Sequence, residues 1–586
     1  MKTVKQACQL APNALSIDVS DQIEQLEQLI NDEGTGEAFY AKTFITGGMR
    51  DLLRGTIERL AGKSSNAVFH LKQAMGGGKT HLIVGTGLAA KHKALRHKYC
   101  GDLPHIDSFE SASVVAFNGR NSPAHYLWGE IAHQLGKSEQ FKKFWASGPE
   151  APDESDWTAL LKSSTPTLIL LDELPPYFQY LGTRATGTGT VADIATRAFA
   201  NLLSASGKLS NVCVVVSDLD ASYAQGGALI ERALLDARKE LGRQEKTITP
   251  VDLAGNEVYD ILRKRLFVKL PDTPEIEDLA ARYGQALEEA TKSKVIARGA
   301  EALADEIVGT YPFHPRLKDL VALFKENEQF KQTRGLMELM SRLLKSVWER
   351  QSDDVYLIGA QHFDLGITEV RSKLADISGM NDVISKDLWD VNFAAHAQGL
   401  DAKNGNKNAS EVANLLFTAS LSTAVNAVKG LTREEILECV VTPLHSVVEY
   451  NSAIDEMLSE CWFLHISQDS KIYFDRQENL TKMLQGLAAV ATEGQIDELV
   501  KTRLQAMFAP TRKTTYGKVI ALPRLNEALE EVKRNRVLLI IDPAHKMPPD
   551  ELAKFFAELT EKNNLLVLTG DSTQMASITA AARKVY

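Results

Sequence analysis

Phe69-His-Leu-Lys-Gln-Ala-Met-Gly-Gly-Gly-Lys-Thr80 decides how this 586-residue chain is read. Its apolar lead, Ala67 to Leu71, predicts a buried strand. A glycine turn follows, Gly76-Gly77-Gly78, then Lys79-Thr80 and a helical stretch, His81 to His92. Strand, glycine turn, Lys-Thr and helix in that order make a phosphate-binding loop. Glycines tolerate the positive φ that lets backbone N–H groups close on phosphate, and the helix N-terminus adds partial positive charge. Lys79 is predicted to reach the β- and γ-phosphates, and the Thr80 hydroxyl to ligate Mg²⁺. Gly76, Gly77, Gly78 and His81 complete the predicted nucleotide contacts. One position departs from the usual pattern, because Gln73 stands where its first glycine belongs.

Four more apolar runs follow at intervals filled by helical patterns: Ser113–Phe117, Thr167–Leu171, Val212–Val216 and Thr247–Val251. Strand alternating with helix predicts a parallel sheet covered on both faces. Ligands of such sheets sit at the carboxyl ends of strands. The third strand ends in Asp172-Glu173. After the phosphate loop, this pair is predicted to hold Mg²⁺ through Asp172 and to polarise the attacking water through Glu173; the alternative is an acidic cap on the next helix. The fourth strand ends in Ser217-Asp218, a γ-phosphate sensor or a plain strand-end turn.

Composition is that of an ordinary globular protein, 44% hydrophobic and 24% charged. A net charge of −10 excludes a globally basic nucleic-acid binder, though not a local basic face. No apolar run approaches the ~20 residues a membrane helix needs. Met1 to Leu10 lacks a signal-peptide core. The five cysteines have no paired spacing, which argues against a disulfide framework or zinc site and fits a reducing cytoplasm.

The order of loop, Asp-Glu, sensor strand, helix, arginine, strand and helical lid resembles the AAA+ ATPases. The resemblance implies an α/β core with a helical lid, ATP as nucleotide, and assembly into a homo-oligomer. Arg243 would point into the neighbouring subunit's nucleotide, unless it is a helix-end charge beside Arg238 and Lys239. Arg334, in Gln332-Thr-Arg-Gly335, would sense nucleotide from the lid, unless it only forms a structural ion pair. After the third strand, Pro175 to Leu181 precedes a Gly/Thr-rich stretch, Gly182 to Thr190, which reads as a mobile, disordered surface loop; the alternative, implied by ring-shaped relatives, is a loop that contacts threaded polymer.

A closer resemblance rests on Phe39-Tyr-Ala-Lys-Thr43, Ile45 to Leu53, Gln73 to His81, Leu127 to Gly136 and Leu171-Asp-Glu-Leu174. These resemble a bacterial ATPase family, domain-of-unknown-function family 499. It is similar to the large BREX ATPases and is typically encoded beside DNA methyltransferases and helicases in anti-phage defence islands. The resemblance implies ATP hydrolysis with Mg²⁺ that drives assembly or remodelling of a DNA-acting complex, in the cytoplasm and away from membrane. Its implied partners are a DNA methyltransferase, helicase or nuclease, with DNA reached directly or through them. The rival is an ATP-gated scaffold with little turnover. A DNA translocase lacks its second motor domain here.

Five regions are expected: 1–66, a helical lead-in; 67–270, the P-loop ATPase core; 271–400, lid and connecting helices; 401–490, a winged-helix-like module; and 491–586, a helix plus the start of a second α/β unit. The module's helices carry Glu434, Glu435, Glu438, Glu449, Asp455, Glu456 and Glu460. Phosphate contacts need Lys and Arg, so a protein-contact or spacer role is favoured over DNA binding. In the last region, Arg512 to Lys518 reads as a basic stretch that touches nucleic acid or is solvated. Two strands are read, in Arg536–Asp542 and Asn564–Thr569. Two strands cannot bury a sheet, so truncation from a longer protein is expected.

Overall fold

The computed structural model describes residues 1–16, 26–72, 78–121, 125–187, 189–217, 228–233, 235, 245–251, 256–292, 300–324, 327, 330, 332–424, 429–444, 447–482, 484, 488, 491–543 and 549–585. The chain divides into two compact units, Met1–Ser459 with His465–Arg476, and Glu460–Leu464 with Gln477–Tyr586.

At the centre of the first unit are five strands: β1 (Val68–Leu71), β2 (Ser113–Asn118), β3 (Thr167–Asp172), β4 (Val212–Ser217) and β5 (Glu245–Ile248). They form one parallel sheet in the order β2-β3-β4-β1-β5. β5 lies two to three residues earlier than the expected Thr247–Val251, since polar Glu245 and Lys246 pair with β1 at the sheet edge. Edge strands need only one covered neighbour and tolerate charge.

Side chains of β1–β4 alternate between two buried cores, which explains why these strands read as unbroken apolar runs. Val68, Val115, Phe117, Ile169, Leu171, Val214 and Val216 pack on one face with Trp128, Phe178 and Phe199. Phe69, Leu71, Leu168, Leu170, Cys213 and Val215 pack on the other with Met49, Leu53, Ile83 and Leu88. Each large apolar side chain removed from water stabilises the sheet by about 1.5–3 kcal/mol. The result is a three-layer α/β/α sandwich.

Four helices position the site described below: α1 (Lys79–Lys91), α2 (Leu174–Gly182), α3 (Glu257–Leu266) and α4 (Gln332–Glu349). α2 takes in the whole Pro175–Leu181 stretch, with proline in its first turn where no N–H is needed. Beyond it, where a disordered surface loop was expected, Ala185–Thr186 pairs with Gly189–Thr190 as a short hairpin. Of the helical lead-in, residues 17–25 lie outside the described residues, and helices occupy Leu26–Asn31, Glu33–Ala41 and Gly47–Leu60.

The first residues dock elsewhere. Gln9–Leu10 pairs antiparallel with Phe267–Lys269 after α3, the Val4 N–H donates to Val355 O at 2.8 Å, and Ser341 Oγ on α4 donates to Ala14 O at 2.7 Å. Farther along, helices Asn408–Ala419, Arg433–Val440 and Val447–Glu460 accompany a three-stranded sheet of Leu431–Thr432, Lys471–Phe474 and Leu464–Ile466.

The second unit holds three parallel strands where two were expected: Lys518–Ala521, Val537–Ile540 and Leu565–Leu568, the second in the middle. Lys518-Val-Ile-Ala was hidden by the basic stretch before it. Helices Leu525–Arg534 and Pro549–Glu558 pack on one face through Ala528, Val532 and Phe555. Among the described residues no helix is long and apolar enough to cross a membrane.

Candidate functional site

β4 lies between β1 and β3, so the strand feeding the glycine turn and the strand ending in Asp172 flank Ser217. Three polar strand ends thereby meet at one edge of the sheet. Gly78 starts α1 with φ +86°, a backbone conformation side chains rarely adopt. Lys79, buried, and Thr80 occupy the first turn of α1, where the outward-pointing N–H groups of a helix start and the helix dipole favour an anion.

Asp172, 1% exposed, gathers the site. Its Oδ2 accepts from Thr80 Oγ1 at 2.6 Å, and its Oδ1 accepts from Ser217 Oγ. Ser217 Oγ in turn accepts the Glu173 N–H at 3.1 Å. A buried carboxylate with such donors is held in one orientation. Thr80 hydroxyl and Asp172 carboxylate are adjacent hard oxygen donors, the set that suits Mg²⁺.

Glu173 sits at φ +50°, ψ +42°, the left-handed region, as the residue before α2. That conformation costs a non-glycine residue about 1–2 kcal/mol. The turn is fixed from both sides, by Ser217 on the Glu173 N–H and by Gly119 N donating to Asp172 O at 2.8 Å. Gly119 is required there, since a Cβ would lie 2.1 Å from Glu173 O.

Arg120 and, in the cavity described below, Arg265 join the site without any mark in the sequence pattern. Arg120 Nε donates to Glu173 Oε2 in an ion pair whose side chains are 36% and 18% exposed. Its own N–H donates to Asn118 Oδ1 at 2.9 Å. No motif marks it, yet it follows directly on β2, at the carboxyl edge where ligand-facing residues of parallel sheets collect.

Beside Gly78 opens a cavity of about 710 Å³, within the range of small-ligand sites. Arg265 of α3 and Arg334 of α4 line it together with His81. The His81 imidazole contacts Thr43 Oγ1 at 3.0 Å and the Phe39 ring at 4.3 Å. Desolvation, reinforced by Arg265, pulls its pKa down to about 3, so it is neutral at pH 7. Phe44, Met49, Leu82 and Val251 add apolar surface to the wall, and Lys42 and Lys264 add further positive charge. Arg334 also lies 3.8 Å from Glu338 on its own helix, so it both faces the cavity and pairs within α4.

The described residues thus bring Gly78, Lys79, Thr80, His81, Asp172, Glu173, Ser217 and Arg334 to one region. Gly76, Gly77 and Arg243 lie outside the described residues.

Two sequence profiles match this chain: one described as the DUF499 N-terminal domain over residues 9–98, and one described as the DUF499 second domain over residues 254–474. Together they span more than half of the sequence. No curated protein matches it. Among solved structures, that of C. elegans PCH-2 is similar at 13% identity over 58% of this chain and 73% of that chain, with a TM-score of 0.24, too distant a likeness to bear on fold or chemistry.

Proposed function

The chain belongs to the DUF499 family, and we propose that its α/β/α unit is an AAA+-type ATPase. The observation that carries this reading is the hydrogen-bonded array at the strand ends, in which Asp172 accepts from Thr80 and Ser217 while Glu173 follows in the same turn. A strand interposed between the loop strand and the Asp-Glu strand supports the AAA+ assignment.

In this reading the Gly76–Thr80 loop cradles the phosphates of ATP, with Lys79 on the β and γ groups. The nucleoside occupies the cavity that His81 and Arg265 line. Mg²⁺, held by Thr80 and Asp172, supplies charge neutralisation at the phosphate oxygens. Glu173 accepts the proton of the water that attacks the γ-phosphorus, and the bridging oxygen departs with ADP. Ser217 holds the Asp172 carboxylate and the Glu173 backbone, so carboxylate and metal ligand keep one spacing. Arg334 answers the phosphate charge from the lid. Arg243 completes the site from a neighbouring copy, which requires a homo-oligomer.

The turnover drives assembly or remodelling of a DNA-acting complex in bacterial anti-phage defence, with a DNA methyltransferase, helicase or nuclease as partner; the family resemblance supports this step. ATP-dependent co-purification with such an enzyme from a neighbouring gene tests it, and a chain that emerges alone with and without ATP contradicts it. The Arg120–Glu173 ion pair favours a second reading of the same site, an ATP-gated switch that turns over only after the glutamate is released.

Lys79→Ala tests the site itself. It is expected to lose ATP binding in equilibrium dialysis while keeping the wild-type thermal midpoint, because the lysine meets phosphate rather than core. ATP bound at wild-type affinity would move the site elsewhere.

A further inference from the structure

A second cavity, of about 490 Å³, opens far along the chain from the phosphate loop, within the region matched by the DUF499 second domain. Its walls come from the Gln361–Leu365 stretch, the segment Leu388–Phe393 and the start of helix Asn408–Ala419.

The segment that forms its aromatic wall is built at a cost. Ile384–Leu388 winds as a π-helical turn, a geometry that recurs at functional sites. Trp389 follows, and Arg371 stacks on its indole at 4.1 Å. Phe393 adopts φ +57° and stands 74% exposed at the cavity. Left-handed phenylalanine is strained, and an aromatic ring held in water gains nothing for folding.

The carboxylates and the arginine of the lining are already engaged within the protein, and its lysine, Lys407, is exposed. Glu411 accepts from Arg350 Nη2 at 2.7 Å and from Tyr450 OH at 2.7 Å. Asp401 accepts the Ala409 and Ser410 N–H groups, which caps the following helix. Apart from Lys407, what the lining still offers is neutral. Gln398 uses its carbonyl on Asp390 N, Asn406 its carbonyl on Asn408 N, and Asn414 its amide N–H on Phe363 O. Among the described residues the opposite ends of these three amides have no partner, which leaves two NH₂ donors and one carbonyl acceptor. His362, its Nδ1 occupied by Gly359 N–H, adds an Nε2–H donor; burial draws its pKa down to about 4, so it too is neutral.

We propose that this cavity binds a nucleobase, stacked against Trp389 and Phe393 and read along its edge by Gln398, Asn406 and Asn414. A flat ring with donors and acceptors side by side matches aromatic faces rimmed by uncommitted amides. A bare cation does not match, because Asp364, Asp401 and Glu411 already accept hydrogen bonds within the protein. The base belongs either to a free nucleotide or to a single nucleic-acid strand, and the shared chemistry is the ring. The site acts independently of the phosphate loop.

The test uses the full chain carrying Lys79→Ala, which takes the loop out of the measurement. 2-Aminopurine riboside and a short single-stranded DNA containing one 2-aminopurine are titrated, and quenching of the probe by stacking is read. Quenching of the riboside identifies a nucleotide site, and quenching of the DNA probe alone identifies a strand site. Phe393→Ala, which removes an exposed ring, is expected to weaken the quenched complex about tenfold. Gln398→Ala, which keeps both rings, guards against a variant that fails to fold and is expected to weaken it several-fold. Absence of quenching by both probes overturns the proposal, as does quenching that neither substitution weakens.

Discussion

The guanidinium of Arg120 pairs with the Glu173 carboxylate across the carboxyl ends of neighbouring strands β2 and β3. The Asn118↔Asp172 register fixes this meeting, because each residue of the pair follows its strand within two positions. A carboxylate that must take a proton from water is thereby committed to a cation. In the proposed function, the pair has to open in each cycle.

Arg120→Ala should therefore raise basal ATP turnover while leaving ATP affinity unchanged. A partly exposed ion pair is worth about 1 kcal/mol, so its loss should speed the step about fivefold. Steady-state phosphate release at saturating ATP reads this directly. A fall in turnover would make Arg120 a positioning residue for Glu173 instead of a restraint on it.

Arg243→Ala should lose turnover with little loss of ATP binding, because an arginine supplied by a neighbour stabilises transition-state charge from outside the binding subunit. Mixed with Lys79→Ala, it should regain activity. The Lys79 variant still contributes Arg243, and the Arg243 variant still contributes a working loop. A mixture that co-assembles on a sizing column yet stays inactive would leave Arg243 as a helix-end charge.

Asp401 gives a pH dependence of stability. Burial raises its carboxyl from 3.8 to about 6, against the lowering effect of the Ser410 and Ala409 hydrogen bonds. The folded chain then binds this proton more tightly than the unfolded chain. Its contribution is fully present below about pH 4 and is lost as pH rises towards 6. Asp401→Asn should flatten the fall in thermal midpoint over that window relative to wild type. Parallel curves for the two proteins would show that Asp401 ionises without cost.

The parallel sheet was legible because fully buried strands are written as uninterrupted apolar runs, and four of the five fall within one residue of their reading. Asp172, Glu173, Ser217 and Thr80 were legible because each follows a strand or a glycine turn in a pattern with known chemistry. Arg120 was not, since its meaning comes from strand order: β2 and β3 are neighbours only once the sheet is assembled. The docking of residues 1–16 against the segments after α3 was hidden for the same reason, as Gln9 and Lys269 are distant in sequence. Lys518–Ala521 escaped because a four-residue strand beside lysine and arginine carries too little period to stand out. The second cavity has no sequence signature at all; its amides become a set only where Leu388–Phe393 folds over the start of helix Asn408–Ala419.

In the proposed function, Glu173 activates water at a site where Thr80 and Asp172 hold the metal. The most direct test is single-turnover ATP hydrolysis by Glu173→Gln beside wild type, with ATP binding measured on the same samples. The amide keeps the shape of the side chain but cannot accept the proton. ATP binding within about twofold of wild type and a hydrolysis rate lowered by about 10²-fold or more are expected. Hydrolysis at the wild-type rate, with ATP bound, would contradict this role of Glu173.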